Sequence, residues 1–156
     1  MKRSELIDQI MAVMEASFDP AWGEAWNRRQ LTDALMFPNT FALLVSETGE
    51  ELDEEISQIA AGFVLSRNAP GEEELLLIAV RPEFRRQGLA QKLVQALKNN
   101  ARARDAEKIF LEMRENNPAI SFYRKLGFEP IGRRKGYYLF ADGSRMDAIT
   151  FGLNNN

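Results

Sequence analysis

Residues 75–91 read LLLIAVRPEFRRQGLAQ, an apolar run that meets two arginines, a glutamine and a glycine. Those residue types at that junction suit the capture of an anion. Pro82 cannot donate to a sheet ladder, so the strand ends near Val80. Beyond Gly88, apolar Leu89, Leu93, Val94, Leu97 and Ala101 recur at helical spacing. The first N–H groups of such a helix lack internal partners, and the aligned peptide dipoles place partial positive charge there. A phosphate satisfies both. Gly88 and small Ala90 let it approach the main chain, while Arg85 and Arg86 add charge. The loop has neither the Lys and Ser/Thr of a Walker A sequence nor a GxGxxG pattern, so nucleoside triphosphates and dinucleotides fit poorly. Taken alone, RRQG reads first as a solvated turn with exposed arginines.

The flanking elements follow from pattern. From Ser4, apolar Leu6, Ile7, Ile10, Met11, Val13 and Met14 predict a first helix. DPAWGEAW is a turn carrying Trp22 and Trp26, and NRRQLTDALMF is a short second helix stopped by Pro38. TFALLVSE is a strand, ETGEELDEEIS an acidic loop, and QIAAGFVLSR a second strand whose small residues allow close packing. ELLLIAV is apolar on both faces and therefore central in the sheet. KIFLEMR is the next strand. Asn117 and Pro118 fit an N-cap and first helical position, making PAISFYRKL a helix that stops at Gly127. GFEPIGRRKGYYLF and RMDAITFGL form a closing antiparallel hairpin around ADGS, and the terminal NNN is expected to fray. The order gives one mixed α/β domain over residues 1–156 without internal repeats.

Composition narrows the chemistry. At 156 residues and 45% hydrophobic, with 10 Phe and 2 Trp, the chain folds around a real core. A net charge of -3 argues against general nucleic-acid binding. Without Cys there is no disulfide scaffold, thiolate metal site or cysteine nucleophile, and without His no imidazole base or ligand, so no metal is expected. Glu, Asp, Tyr, Lys or water must move any protons. The N-terminal helix is interrupted by Glu5, Asp8 and Glu15, so it reads as neither signal peptide nor membrane span, and a cytoplasmic monomer is expected.

Arg85-Arg86-Gln87-Gly88-Leu89-Ala90 resembles the Arg/Gln-x-x-Gly-x-Gly/Ala loop of the GCN5-related N-acetyltransferase (GNAT) family, which holds the pyrophosphate of acetyl-coenzyme A. IAVRPEFR before it and NNPAISFYRKLGF after it resemble the same family in the expected order, across roughly residues 40 to 153. The C-terminal segment LEMRENNPAISFYRKLGFEPIGRRKGYYLFADGSRMDAI is most similar to the ribosomal-protein-alanine N-acetyltransferase branch. The resemblance implies a mostly antiparallel mixed sheet with a splayed central parallel strand pair and flanking helices. It also implies acetyl-coenzyme A as cosubstrate and the N-terminus of a small-subunit ribosomal protein as partner.

On that resemblance, Ile78, Ala79 and Val80 lie along the pantetheine arm, the Val80 N–H polarises the thioester carbonyl, and Arg86 through Gln91 wrap the pyrophosphate. Glu112 is the candidate base, working on the amine through water, and Tyr123 the donor to the departing thiolate. Without the resemblance, Glu112 is equally a strand carboxylate paired with Arg114, and Tyr123 a core-flanking tyrosine. Counted from Glu112, Asn117 is the residue matching the family's cofactor contact; counted from Tyr123, Asn116 is. RRKGYYLF runs one residue longer than its counterpart. Tyr137 and Tyr138, with Trp22 or Trp26, are candidates for an acceptor channel, or ordinary packing. Acidic residues 72–74 either attract a basic peptide or form a solvated loop.

Three other readings compete with α-amine acetylation. The acceptor is a small amine, an antibiotic or a lysine; the chain is a non-catalytic coenzyme A-binding module; or Arg28, Arg29, Arg85 and Arg86 bind RNA.

Overall fold

The computed structural model describes residues 2–18, 24–52 and 59–155. Helix α1 (Arg3–Ser17) turns Ile7, Ile10, Met11, Val13 and Met14 inward, the three-and-four spacing expected of one buried stripe. Helix α2 (Arg28–Leu35) starts in a capping box. The Gln30 N–H donates to Asn27 Oδ1 at 2.8 Å, and the Asn27 N–H to Gln30 Oε1 at 2.8 Å. Trp22 and residues 53–58 of the acidic segment lie outside the described residues.

Strands β1 (Thr40–Val45), β2 (Gly62–Ala69), β3 (Glu72–Val80), β4 (Lys108–Arg114), β5 (Glu129–Leu139) and β6 (Arg145–Asn154) form one sheet in the order β1-β2-β3-β4-β6-β5. Every neighbouring pair is antiparallel except β3 and β4. That parallel ladder holds only from Glu72 to Glu74, opposite Lys108 to Phe110, and the strands then part. Helix α3 (Leu89–Ala103) and helix α4 (Ile120–Lys125) pack on one face, where Leu93, Leu97, Ile109, Tyr123 and Phe128 share a core. Helices α1 and α2 cover β1 to β3 on the other face, around Ile10, Leu31 and Phe63. Each large apolar side chain buried in this way contributes about 1.5–3 kcal/mol. At Gly62, β2 lies so close to its neighbours that a Cβ would stand 2.9 Å from the Ala79 carbonyl oxygen of β3 and 3.1 Å from the Leu93 side chain of α3, which explains the glycine there.

Four expectations need correction. β2 begins at Gly62 rather than near residue 58, because the Ala60 N–H donates to Gln9 Oε1 and the Ala61 N–H to the Val45 carbonyl. α4 begins at Ile120 rather than Pro118. Asn117 Oδ1 accepts the Ala119 N–H at 2.9 Å, an Asx-type turn that occupies Pro118 and Ala119 before the helical ladder starts. Residues 72–74 are strand, not loop: Glu73 is wholly buried, and Glu74 is partly buried. Nor does the C-terminal tail fray as far as Asn155. Asn154 pairs with Lys108, and Asn155 is buried with its Nδ2 donating to the Lys98 and Ala106 carbonyls.

Candidate active site

The parting of β3 from β4 has a local cause. The register of β2 against β3 steps from Leu65 opposite Leu77 to Ser66 opposite Leu75, so Leu76 is an extra residue in β3. A bulge of this kind bends its strand and increases the twist. Above it, the Arg81 N–H donates to the Ala61 carbonyl at 2.8 Å. Alternation then turns the backbone groups of Ala79 and Leu77 towards β2, and those of Ile78 and Val80 into the gap. Ala79, expected beside Ile78 and Val80, therefore contributes only its side chain. The gap is a cleft of about 710 Å³.

One end of the cleft is the arginine loop. Pro82–Phe84 make a 3-10 turn, after which Arg86 at φ 63 and Gly88 at φ 81 take left-handed conformations. Such alternation turns successive N–H groups to one side and makes an anion-binding concavity. The first ladder bond of α3 runs from the Lys92 N–H to the Gly88 carbonyl at 3.1 Å. The N–H groups of Leu89, Ala90 and Gln91 have no helical acceptor, and no side chain of Gly88 exists to cap them. Arg85 lines the cleft and is also tethered. Its Nε donates to the Val80 carbonyl at 3.0 Å and its Nη2 to the Ser17 carbonyl at 2.8 Å, so it ties the loop to the ends of β3 and α1. Both arginines are exposed and line the cleft, Arg86 with no carbonyl tether of this kind, and Gln87 does not line it.

The other end is built on β4. Ile109, Leu111 and Met113 enter the α3 core, so Glu112 faces the opposite way into the cleft wall. Its partner is not Arg114. Glu112 Oε2 lies 3.1 Å from Arg134 Nε and accepts the Thr150 hydroxyl at 3.3 Å. Arg114 donates instead to Asn116 Oδ1 at 2.7 Å and pairs with Glu24 at 3.4 Å. Asn116 is thereby engaged, while Asn117 lines the cleft with its side-chain oxygen held by the Ala119 N–H. Tyr123 also lines the cleft and is 4% exposed, with Phe122 and Phe128 edge-on at 5.2 and 5.6 Å. Burial pushes its phenol above the ordinary tyrosine range and keeps it protonated.

Ile78, Ala79, Val80, Arg85, Arg86, Gly88, Leu89, Ala90, Gln91, Asn117, Glu112 and Tyr123 thus meet in one cleft, while Gln87, Trp26, Tyr137 and Tyr138 do not line it. Trp26 packs against the α1 core. Tyr138 stands edge-on to Tyr137 at 5.2 Å. Its phenol is pushed up to about 12, first by burial and then by the negative charges of Glu112 and Glu24. Glu24 lines the cleft and is a site residue that pattern reasoning missed, whereas Glu74, one of the acidic residues 72–74, does not line it but acts on Glu112 through its charge. Burial raises the Glu74 carboxyl, the Arg67 cation opposes the shift, and the Glu112 charge adds to it. Strand parity carried the signal for Glu74: Leu75 enters the α3 core, so Glu74 shares the face of Glu112.

Fold and cleft together define an α/β protein that can hold an extended ligand between parting strands, its anionic tail on a helix N-terminus. The chain belongs to the acetyltransferase (GNAT) family, whose model matches residues 7–128. It is 39% identical over 92 residues to the ribosomal protein bS18-alanine N-acetyltransferase of Haemophilus ducreyi, a match covering 58% of this chain and 63% of that protein. The Escherichia coli (strain K12) enzyme of the same name is 35% identical over 121 residues, 75% of this chain and 81% of that one. A crystal structure of the ribosomal-protein-S18-alanine N-acetyltransferase from Escherichia coli superposes with a TM-score of 0.78 at 23% identity, covering 100% of this chain and 91% of that one. That likeness bears on the fold, and it agrees with the mixed sheet and splayed parallel pair expected from the sequence.

Proposed function

We propose that this chain transfers the acetyl group of acetyl-coenzyme A to the N-terminal α-amine, an alanine, of a bS18-type small-subunit ribosomal protein in the cytoplasm. The observation that carries the reading is one cleft with free helix-end amides at Leu89 to Gln91 and the Glu112 carboxylate at its far side. The names of the two relatives support the acceptor.

The chain's own groups divide the work. Amides of the Arg86–Gln91 loop hold the diphosphate, and the Ile78 and Val80 backbone edge pairs with the amides of the pantetheine arm as a further strand would. The Val80 N–H donates to the thioester oxygen as negative charge develops there, a contribution of a few kcal/mol. An α-amine with a pKa of about 7.7–8.0 is roughly a tenth or more neutral near pH 7, so Glu112 needs only to accept its proton, directly or through water. The amine nitrogen attacks the thioester carbon, the carbon–sulfur bond breaks, and Tyr123 donates a hydrogen bond to the leaving thiolate. With no Cys in the chain, a cysteine acyl-enzyme is excluded, and attack is direct within a ternary complex.

Incubation with acetyl-coenzyme A and an Ala-starting peptide, an N-terminally blocked lysine peptide or spermidine tests the acceptor. One acetyl group on the alanine nitrogen is the expected product. Acetylation of spermidine or the blocked peptide alone rejects the reading.

The loop gives a second expectation. Gly88 sits at φ +81, with nothing within 4 Å of where a Cβ would stand. Gly88→Ala should lower stability by about 1–2 kcal/mol, the usual cost of a left-handed residue. The added methyl should also obstruct the diphosphate and weaken coenzyme A tenfold. At a ligand concentration one hundred times the wild-type Kd, binding then stabilises wild type by about 2.7 kcal/mol and the variant by about 1.4 kcal/mol. Denaturant unfolding with and without coenzyme A measures both.

A further inference from the structure

We infer that Arg134 is a specificity-determining residue that favours α-amines by repelling acceptors that remain cationic beside Glu112. The inference rests on the acceptor reading above and names what enforces it.

Arg134 is the last β5 residue in regular register, opposite Ala148, before the strand bulges ahead of Tyr138. The bulge is pinned. Gly136, at φ +60, donates its N–H to Asp147 Oδ1 at 2.8 Å, and Arg133 Nη1 donates to Asp147 Oδ2 at 2.6 Å. This arrangement presents Arg134 to Glu112 at 3.1 Å and brings the Tyr137 ring to 5.1 Å from the guanidinium carbon. The ring helps hold the cation, whose side chain remains 62% exposed on the approach to Glu112.

Two other carboxylates of this region, among the described residues, are already matched. Glu74 faces Arg67 at 4.0 Å and Glu24 faces Arg114 at 3.4 Å. Each of the three carboxylates thus has its own arginine. An arriving ammonium finds none of these three carboxylates bare, and a guanidinium offers it no acceptor and cannot give up its proton. A neutral amine suffers no repulsion. The two amine types differ in this respect: roughly a tenth of α-amines are neutral near pH 7, against fewer than about one in a thousand lysine side chains. A fixed cation at the carboxylate therefore enlarges a preference that amine chemistry begins.

The experiment compares kcat/KM for an Ala-starting peptide with that for an N-terminally blocked lysine peptide and for spermidine. Wild type, Arg134→Gln and Arg134→Lys are assayed at pH 7, with coenzyme A affinity as the folding control. The α-amine preference is expected to fall at least tenfold in Arg134→Gln, mainly through lower KM for the cationic acceptors, and less than threefold in Arg134→Lys. A smaller fall in Arg134→Gln, or an equal fall in both variants, overturns the inference while leaving the α-amine activity standing. If wild type itself prefers the lysine peptide or spermidine, or acetylates none of the three, the proposed acceptor and this inference fail together.

Discussion

Glu112→Gln is expected to lower kcat about a hundredfold at pH 7, within the range that a positioned general base supplies. The amide is nearly isosteric, and its oxygen can still accept from Thr150 and Arg134, which now touch Glu112 at 3.3 and 3.1 Å. What disappears is the ability to take a proton. Affinity for acetyl-coenzyme A should therefore be unchanged, since its tail is held at the loop end of the cleft. The deficit should narrow by up to about tenfold between pH 7 and pH 9, because the α-amine becomes neutral without help above its own pKa of about 8. Tyr123→Phe should behave differently. Burial holds that phenol above the ordinary tyrosine range, so it stays protonated through pH 9 and its loss should slow turnover equally at both pH values. Steady-state rates of coenzyme A release at the two pH values decide the matter. Full activity in both variants would remove Glu112 and Tyr123 from the chemistry.

The donor half of the site is legible in the chain because it is local. Pro82 ends a strand, Gly88 supplies a left-handed turn, and the apolar positions of α3 follow at once, so contiguous residues create the free amides. Glu112 is legible by parity, since Leu111 and Met113 claim the core face. Its surroundings were not. Arg134 reaches Glu112 through the pairing of β6 with both β4 and β5, and through a bulge that depends on Asp147 binding Gly136 eleven residues away. RRKGYYLF ran one residue longer than expected, and its bulge turns the tyrosines away from the cleft lining. Arg85 looked like phosphate charge, but the neighbouring carbonyls of Val80 and Ser17 engage it, and one of these comes from a distant helix. Asn117 against Asn116 was undecidable by counting, yet the turn at Pro118 and the grip of Arg114 on Asn116 separate them. The asparagine contacts lie only two residues apart, but the Arg134 and Arg85 misses involve partners remote in sequence, which spacing cannot supply.

The vertex of the cleft depends on a buried charge that pattern reasoning read as solvated. Glu73 is wholly buried where the short parallel ladder of β3 and β4 begins. It accepts the Ser66 hydroxyl at 2.5 Å, the Asn68 amide at 2.9 Å and Arg104 Nη2 at 2.6 Å, and the Arg104 guanidinium lies 3.7 Å from the Phe41 ring centroid. β1, β2, β3 and the end of α3 are thereby joined at one point. Glu73→Ala leaves Arg104 facing a cavity without its counter-charge, and breaking such a pair from one side costs about 3 kcal/mol or more. For a chain of this length the melting temperature should drop by roughly 6–12 °C. Adding Arg104→Met should return much of the loss, because replacing both charges with apolar volume is often near neutral. A double-mutant cycle in denaturant would then give a coupling energy of at least 1 kcal/mol. A loss below 1 kcal/mol for Glu73→Ala, or strict additivity in the cycle, would mean that the Leu76 bulge alone sets where β3 and β4 part.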